Sequence, residues 1–388
     1  MYDSPRPCPL GRLPTRHDPP DPPGRYARPP QEPHAAPRGP SMHGENTECP
    51  RATTTRGGVA ARVLRDWGFE LPDALFRFWT FLESLGPVES RALGEMDVSP
   101  AGVMDLFADP ARGPRAGIDV RVHGRYYRDP PEFLTFLHGG SDGLHHGLWF
   151  DDGRTHRGVA SYHTHDGGGV DMSAATPLEA VRALLERCWR DLDDERSDEA
   201  AARRARLGRL REHLTAHETG DRPETGLAYS RAYDNSVRHR DRVTTLDGAG
   251  ALVPGETALG RPAQHVVDEY RFAAHMHAVF EDPAELEAAV AEARRRLAAG
   301  DPTEALVLGR DLHWASCGDP VREAAAAELL PAAYRALDRP ALAAVAEAHH
   351  RHRDLPHVDV LEDGVAQRPG RRRCRRVSSP GPSPRPAA

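Results

Sequence analysis

The distribution of proline decides how much of this chain can fold. Of its 36 prolines, 13 fall in the first 40 residues, "MYDSPRPCPLGRLPTRHDPPDPPGRYARPPQEPHAAPRGP", among almost no aliphatic side chains. Such a stretch cannot bury enough apolar surface to offset the entropy of ordering it. Residues 1–56 are therefore expected to be disordered. The arginine-rich end, "RPGRRRCRRVSSPGPSPRPAA", reads the same way, which makes 364–388 a disordered basic tail. The span 57–363 remains for a core. Its patterning divides it into an α+β, sheet-containing region over 57–262 and a helical C-terminal region over 263–363.

The formal net charge of −7 gives no global basic field, so nucleic acid is not an expected partner. No apolar run approaches the roughly 20 residues of a membrane span. No apolar signal-peptide core opens the chain. Cys8, Cys49, Cys188, Cys317 and Cys374 are scattered without a CxxC pair, which fits a reducing compartment, and the cytoplasm is expected.

Within the folded span, "LPDALFRFWTFLESLG" sets Leu75, Phe78, Trp79 and Leu82 on a helical stripe that ends at Gly86-Pro87. "IDVRVHGRYY" alternates Ile118, Val120 and Val122 with polar residues and reads as a half-buried strand. "EFLTFL" and "LHHGLWF", joined by "HGGSDG", read as a hairpin. "TPLEAVRALLERCWRDL" opens with Thr176 and Glu179 in a capping box and carries an apolar stripe that includes Cys188 and Trp189. The arginine-rich "SDEAAARRARLGRLREHLTAHETG" reads as a more exposed helix with a solvated face. "DRVTTLDGAG" reads as a strand over 243–246 and a tight turn. Pro254-Gly255 follows where a dinucleotide fingerprint would need a helix. Four further helix starts repeat one signature, at Asp282, Asp301, Asp319 and Asp338, each with proline close behind; they predict short stacked helices. The fold expected is α+β: an antiparallel sheet flanked by helices, then a helical C-terminal region.

Chemistry is harder to find. The chain has 21 histidines, so chance clusters are expected. "YHTHD" and "HGGSDGLHH" offer imidazoles but no third ligand of fixed spacing, so no metal is expected. No HExxH or GxSxG motif occurs, and no cysteine has a histidine partner in sequence. Nothing calls for a cofactor, and no catalytic residue is assigned. The histidines of 125–152 read as surface or turn residues, and Asp151 and Asp152 as the end of a strand.

"GRYYRDPPEFLTFLHGGSDGLHHGLWFDD" resembles the segment that identifies the histone PARylation factor family, where a "DPPEF" run precedes a glycine-bearing "HxGYxRD" run. "FELPDALFRFWTFLESL", "TPLEAVRALL", "RDRVTTLDGAGALVP" and "LVLGRDLHWASCGDPVREAAAAELLPAAYRAL" resemble further family segments in the same order. The resemblance implies an accessory factor that docks on a poly-ADP-ribosyltransferase and lends it a glutamate as general base toward a substrate serine. A serine hydroxyl needs such a base to become nucleophilic. Counted back from Gly309 and Asp311, the family's Asp-Glu pair falls on Ala298 and Ala299. Alanine accepts no proton, so this chain is expected to be a divergent, non-catalytic member. The family's arginine corresponds to Arg261, expected to face solvent and meet an acidic partner group or ADP-ribose; Asp301 is the nearest acid to the missing pair. Two alternatives remain open: an immunity- or regulator-type module that binds a partner protein through its small sheet, and an autonomous ADP-ribosylation enzyme.

Overall fold

The computed structural model describes residues 56–140, 142–165, 169–218, 242–262 and 269–362. The expectations for 1–55 and for 363–388 lie outside the described residues. The fold is α+β, as the patterning predicts. Three helices lead: α1 (Arg56–Trp67), α2 (Asp73–Ser84) and α3 (Pro87–Glu95). After β1 (Val98–Pro100), a one-turn α4 (Asp105–Ala108) and β2 (Gly113–Pro114) come β3 (Phe133–Gly139), β4 (Leu144–Trp149), β5 (Gly158–His163) and β6 (Asp171–Ala174). The sheet runs β1-β3-β4-β5-β6, with every neighbouring pair antiparallel. The β3–β4 hairpin is the one read from the sequence.

Both faces of this sheet are covered, so β3, β4 and β5 are buried along most of their length, including the polar Thr135, His145 and His146. Leu134, Phe136, Leu148 and Val159 join one face to α2 and to α5 (Pro177–Asp191) in the main core. Phe133, Trp149, Ala160 and Tyr162 form the other face and meet Trp314. Gly147 marks how tightly that face packs, since a Cβ there would lie 2.4 Å from the Phe133 ring.

The capping box of α5 forms as expected. The Thr176 hydroxyl accepts from Glu179 N at 3.3 Å, and Glu179 reaches back to accept from Ala175 N at 2.9 Å. The arginine face of α6 (Asp198–His217) is not merely solvated. Arg203 donates to Glu95 O at 2.7 Å, Arg206 pairs with Glu95 at 2.9 Å, and Arg211 reaches Glu186 at 2.7 Å, so α6 is clasped to α3 and α5. Trp189 is half-buried between α5 and α6, with Arg204 and Arg211 over its ring at 5.2 and 5.6 Å.

Two local expectations fail. The stretch read as a strand around Val120 is a 3-10 turn, Val120–Val122, with Asp119 accepting from Arg121 N at 3.0 Å. Gly124 then turns the chain with a φ of +72, and its N–H donates to Val358 O at 2.8 Å. Three alternating branched residues fit a turn as well as a strand, and the tertiary contact decides between them. The segment after Arg242 makes a single bridge, Val243 to Ala251, rather than a strand.

Five more helices complete the described residues: α7 (Glu269–Glu281), α8 (Pro283–Ala298), α9 (Thr303–Ala315), α10 (Pro320–Ala336) and α11 (Pro340–Arg351). Asp282 and Asp319 cap α8 and α10 through their side chains, as read. Asp301 accepts from Thr303 N at 3.0 Å at the start of α9. Asp338 caps nothing. Its φ of +56 ends α10, and Arg339 takes the cap position of α11. All 13 residues of α9 are buried, so this helix is the axis on which the sheet and the other C-terminal helices meet. A short β7 (Leu361–Glu362) returns to pair with β2. Among the described residues, no helix is long and apolar enough to cross a membrane.

Candidate partner-binding site

In the segment 125–151, Arg125, Asp129, Glu132, His145 and Asp151 form a polar frame inside the protein. Arg125 donates from Nε to Arg121 O at 3.1 Å, from Nη1 to Pro130 O at 2.9 Å, and from Nη2 to Pro131 O at 3.1 Å and Phe133 O at 2.5 Å. It thereby pins the Asp-Pro-Pro turn against the first residue of β3. Asp129, fully buried, accepts from His145 Nε2 at 2.9 Å, from the Tyr162 hydroxyl, and from Tyr126 N at 3.1 Å. His145 donates its other nitrogen to Gly143 O at 2.8 Å. Burial opposes the Asp129 charge, but His145, Arg125 and the hydrogen bonds outweigh it and hold the carboxyl below its ordinary range. The same burial pushes the Tyr162 phenol far up. Asp151 accepts from Trp149 Nε1 at 2.8 Å and pairs with Arg242. Glu132 accepts from the Tyr334 hydroxyl at 2.8 Å.

These contacts correct the surface reading of this segment. His145 and His146 are buried, not exposed turn residues, and Asp151 is an interior anchor. Sequence reasoning missed Arg125, Asp129 and Asp151 because the partners that bury them are main-chain carbonyls or lie far along the chain: His145 and Tyr162 for Asp129, Arg242 for Asp151. A usable signal was present: charged residues wedged between tyrosines, prolines and apolar runs have no room for a solvated face.

The second region is the α8–α9 junction. Ala298 and the C-cap residue Ala299 are exposed, and Gly300 follows with a φ of +90. Asp301 uses Oδ1 on Thr303 N and lies 3.5 Å from Arg296 through Oδ2. Its hydrogen bonds to Thr303 and the Arg296 charge lower its carboxyl pKa. Glu304 is buried and accepts from Ala258 N at 2.5 Å. Together with Arg296, which donates to Glu256 O at 2.7 Å, it staples the loop 254–262 onto the junction.

Arg261 closes that loop, but it does not face solvent as expected. Its side chain has no exposed surface. Nη1 lies 2.5 Å from Asp311 Oδ2 and 3.1 Å from Thr244 O, and the guanidinium sits 5.6 Å over the Phe272 ring. The reason is charge. Asp311 sits in the all-buried α9, and Arg261 is the cation against it. Burial still pushes the Asp311 carboxyl up to about 6, against the pull of Arg261. Next to it, Arg310 donates to Asp247 at 2.8 and 2.6 Å and to Gly250 O at 2.8 Å. The loop residue Arg261 and the junction residue Asp301 thus belong to one stapled unit, Arg261 beneath it and Asp301 at its edge.

Among the described residues one group, Asp105, His123 and Asp359, has the side chains of a metal site. His123 donates from Nε2 to Asp105 at 2.9 Å and accepts at Nδ1 from Val360 N at 3.4 Å. Both ring nitrogens are occupied, so the group is a hydrogen-bonded tether between α4 and the C-terminal strand.

Fold and site together define a class: an α+β protein with a polar-pinned segment in its core and an exposed Ala-Ala-Gly junction after α8. The family model of histone PARylation factor 1 matches residues 59–260. The chain is 25% identical over 353 residues to the histone PARylation factor 1 of Bos taurus, covering 82% of this chain and 97% of that protein. It is 25% identical over 313 residues to that of Mus musculus, 75% and 86% of the two chains, and 29% identical over 92 residues to that of Danio rerio, 23% and 26%. This chain belongs to the histone PARylation factor 1 family.

Proposed function

We propose that this protein is a non-catalytic accessory factor of ADP-ribosylation. It docks on an ADP-ribosyltransferase through the stapled loop 254–262 and the α8–α9 junction, and it supplies no general base there. The relatives' name ties them to histone PARylation, and that association supports the choice of partner. One observation carries the rest. The two positions that correspond to the family's acidic pair, Ala298 and Ala299, are exposed methyl groups; of the nearest acids, Asp301 accepts from Thr303 N, and Glu304 is buried and accepts from Ala258 N through one oxygen. A carboxylate with a lowered pKa and a capping role, as at Asp301, is a poor proton acceptor. Asp301 serves instead as a partner-facing charge at the edge. Arg261 acts from beneath by fixing the loop, and ADP-ribose reaches it only if the loop lifts. The cytoplasm is the compartment this reading assumes.

Reconstitution with a matched poly-ADP-ribosyltransferase tests it. A stable complex should elute on size exclusion, and mass spectrometry of the products should find no serine-linked ADP-ribose. Ala299→Glu should confer serine linkage. Serine-linked product with the unaltered protein, lost on Asp301→Asn, would make Asp301 the base and overturn the proposal. NAD consumption by the protein alone would instead make it an autonomous enzyme.

A further inference from the structure

A cavity of about 270 Å³ lies between the signature segment and the chain that leaves α11, away from the junction described above. Arg125, Arg353 and His349 line its polar side, and Leu355 and Pro356 its apolar side. Arg353 donates from Nε to Tyr127 O at 2.9 Å and from Nη2 to His313 O, and it lies 4.0 Å over the Tyr127 ring. The nearest acid to its Nη1 is Glu323, at 3.7 Å. Arg125, as described, gives its donors to main-chain carbonyls. Both buried guanidiniums therefore spend their short hydrogen bonds on main-chain carbonyls, with Asp129 and Glu132 near Arg125 and Glu323 near Arg353 as the closest carboxylate charges.

His349 adds an unmet polar group. It is 2% exposed and packs edge-on to His313 at 5.1 Å. Its Nδ1 is buried without a hydrogen-bond partner. Burial, and then the Arg353 charge, keep the ring neutral, so it retains one N–H and one lone pair. Buried polar atoms are nearly always paired, and an orphan calls for an explanation. A ligand in the cavity that His349 lines would give it a partner. The two guanidiniums exclude a cation. The volume falls below the roughly 300–1,000 Å³ of ordinary ligand pockets, which excludes a dinucleotide-sized body.

We propose that this pocket binds a small organic oxyanion, a carboxylate or phosphate monoester on a single ring or short aliphatic body. The oxyanion accepts from Arg353 Nη1 and the His349 N–H, and the body rests against Leu355 and Pro356. Guanidinium and imidazole donors suit either head group.

The test uses the full chain, with calorimetry and histidine ¹⁵N NMR, and three probes: phenyl phosphate, benzoate and neutral benzamide. Saturable binding of phenyl phosphate or benzoate is expected, with a shift of the His349 resonance and little affinity for benzamide. The tighter of the two names the head group. His349→Phe should weaken binding by about tenfold or more, the loss expected for a hydrogen bond to a charged group. No saturable binding of either anion, benzamide binding as tightly as benzoate, or equal affinity in the variant overturns the proposal. If His349→Phe does not fold, the His349 resonance of the unaltered protein decides alone: a shift that saturates with the calorimetric isotherm supports the site, and an unmoved resonance overturns it.

Discussion

The signature segment keeps Arg125, Asp129, Glu132, His145 and Asp151 inside the protein, whereas the α8–α9 junction holds Ala298, Ala299 and Gly300 in solvent. The polar residues of the first region answer to folding. Each satisfies a buried partner, and losing one strands another. The side chains of Ala298 and Ala299 touch nothing that needs them, and Gly300 serves only the turn of the chain. On the proposed reading, this is why the family signature can be legible at 25% identity while alanines stand at the positions of the acidic pair. A segment can identify a family because it is scaffold, and a chemically decisive position can drift because it is not.

Asp129→Ala should strain this contrast most. It leaves the His145 imidazole and the Tyr162 hydroxyl buried without their acceptor, and destabilisation of about 3–5 kcal/mol is expected in urea melts. A loss under 1 kcal/mol would mean the signature segment is not the frame described.

Arg261→Ala comes next, because Arg261 shares the inner region's logic although it was read as a binding residue. It leaves the Asp311 carboxylate buried without its cation, at a cost of about 2–3 kcal/mol at pH 8 and less at pH 5, where protonated Asp311 needs no cation. The sign follows from the raised pKa. Asp311 has a folded value of about 6, above the roughly 3.9 of an unfolded aspartate. Its contribution is therefore fully present below about pH 4 and is lost as pH rises through about 6. Asp311→Asn should remove about 2 kcal/mol of that slope between pH 4 and 7.5. An unchanged slope would show that Asp311 stays ionised beside Arg261.

Trp189→Ala sharpens the middle ground. A fully buried tryptophan costs roughly 3–5 kcal/mol on truncation. Half-buried Trp189 should cost about 1–2, seen as a modest shift of the melting midpoint. At the far end, Ala299→Glu should cost no more than about 1 kcal/mol, since the position is exposed and only the helix-end charge opposes an acid there. A large loss there would mean the junction is structural after all.

What could be read in advance followed the range of the interaction. The caps at Thr176, Asp282 and Asp319 were legible because a cap is satisfied within three residues. The β3–β4 hairpin was legible because its strands are adjacent in the chain. The burial of His145 was not, since it depends on Asp129, Tyr162 and Phe133 closing around it. The inward turn of Arg261 depends on Asp311, a partner that no local pattern assigns to it. That alanines stand where the family resemblance places an acidic pair could be read only through that resemblance, because two exposed alanines at a helix end carry no physical signal of it.

Position 299 is also the electrically negative end of α8. The last carbonyls of a helix carry roughly half an elementary negative charge, and an acid there is disfavoured by about 0.3–1 kcal/mol, while Arg295 and Arg296 in the last turn suit it. The same field would raise a glutamate's pKa and make it a better base. An acid at this spot therefore gains reactivity while it weakens its own helix, and only a partner that needs the base gives it a reason to stay. Alanine at this spot leaves the helix end without that electrostatic cost.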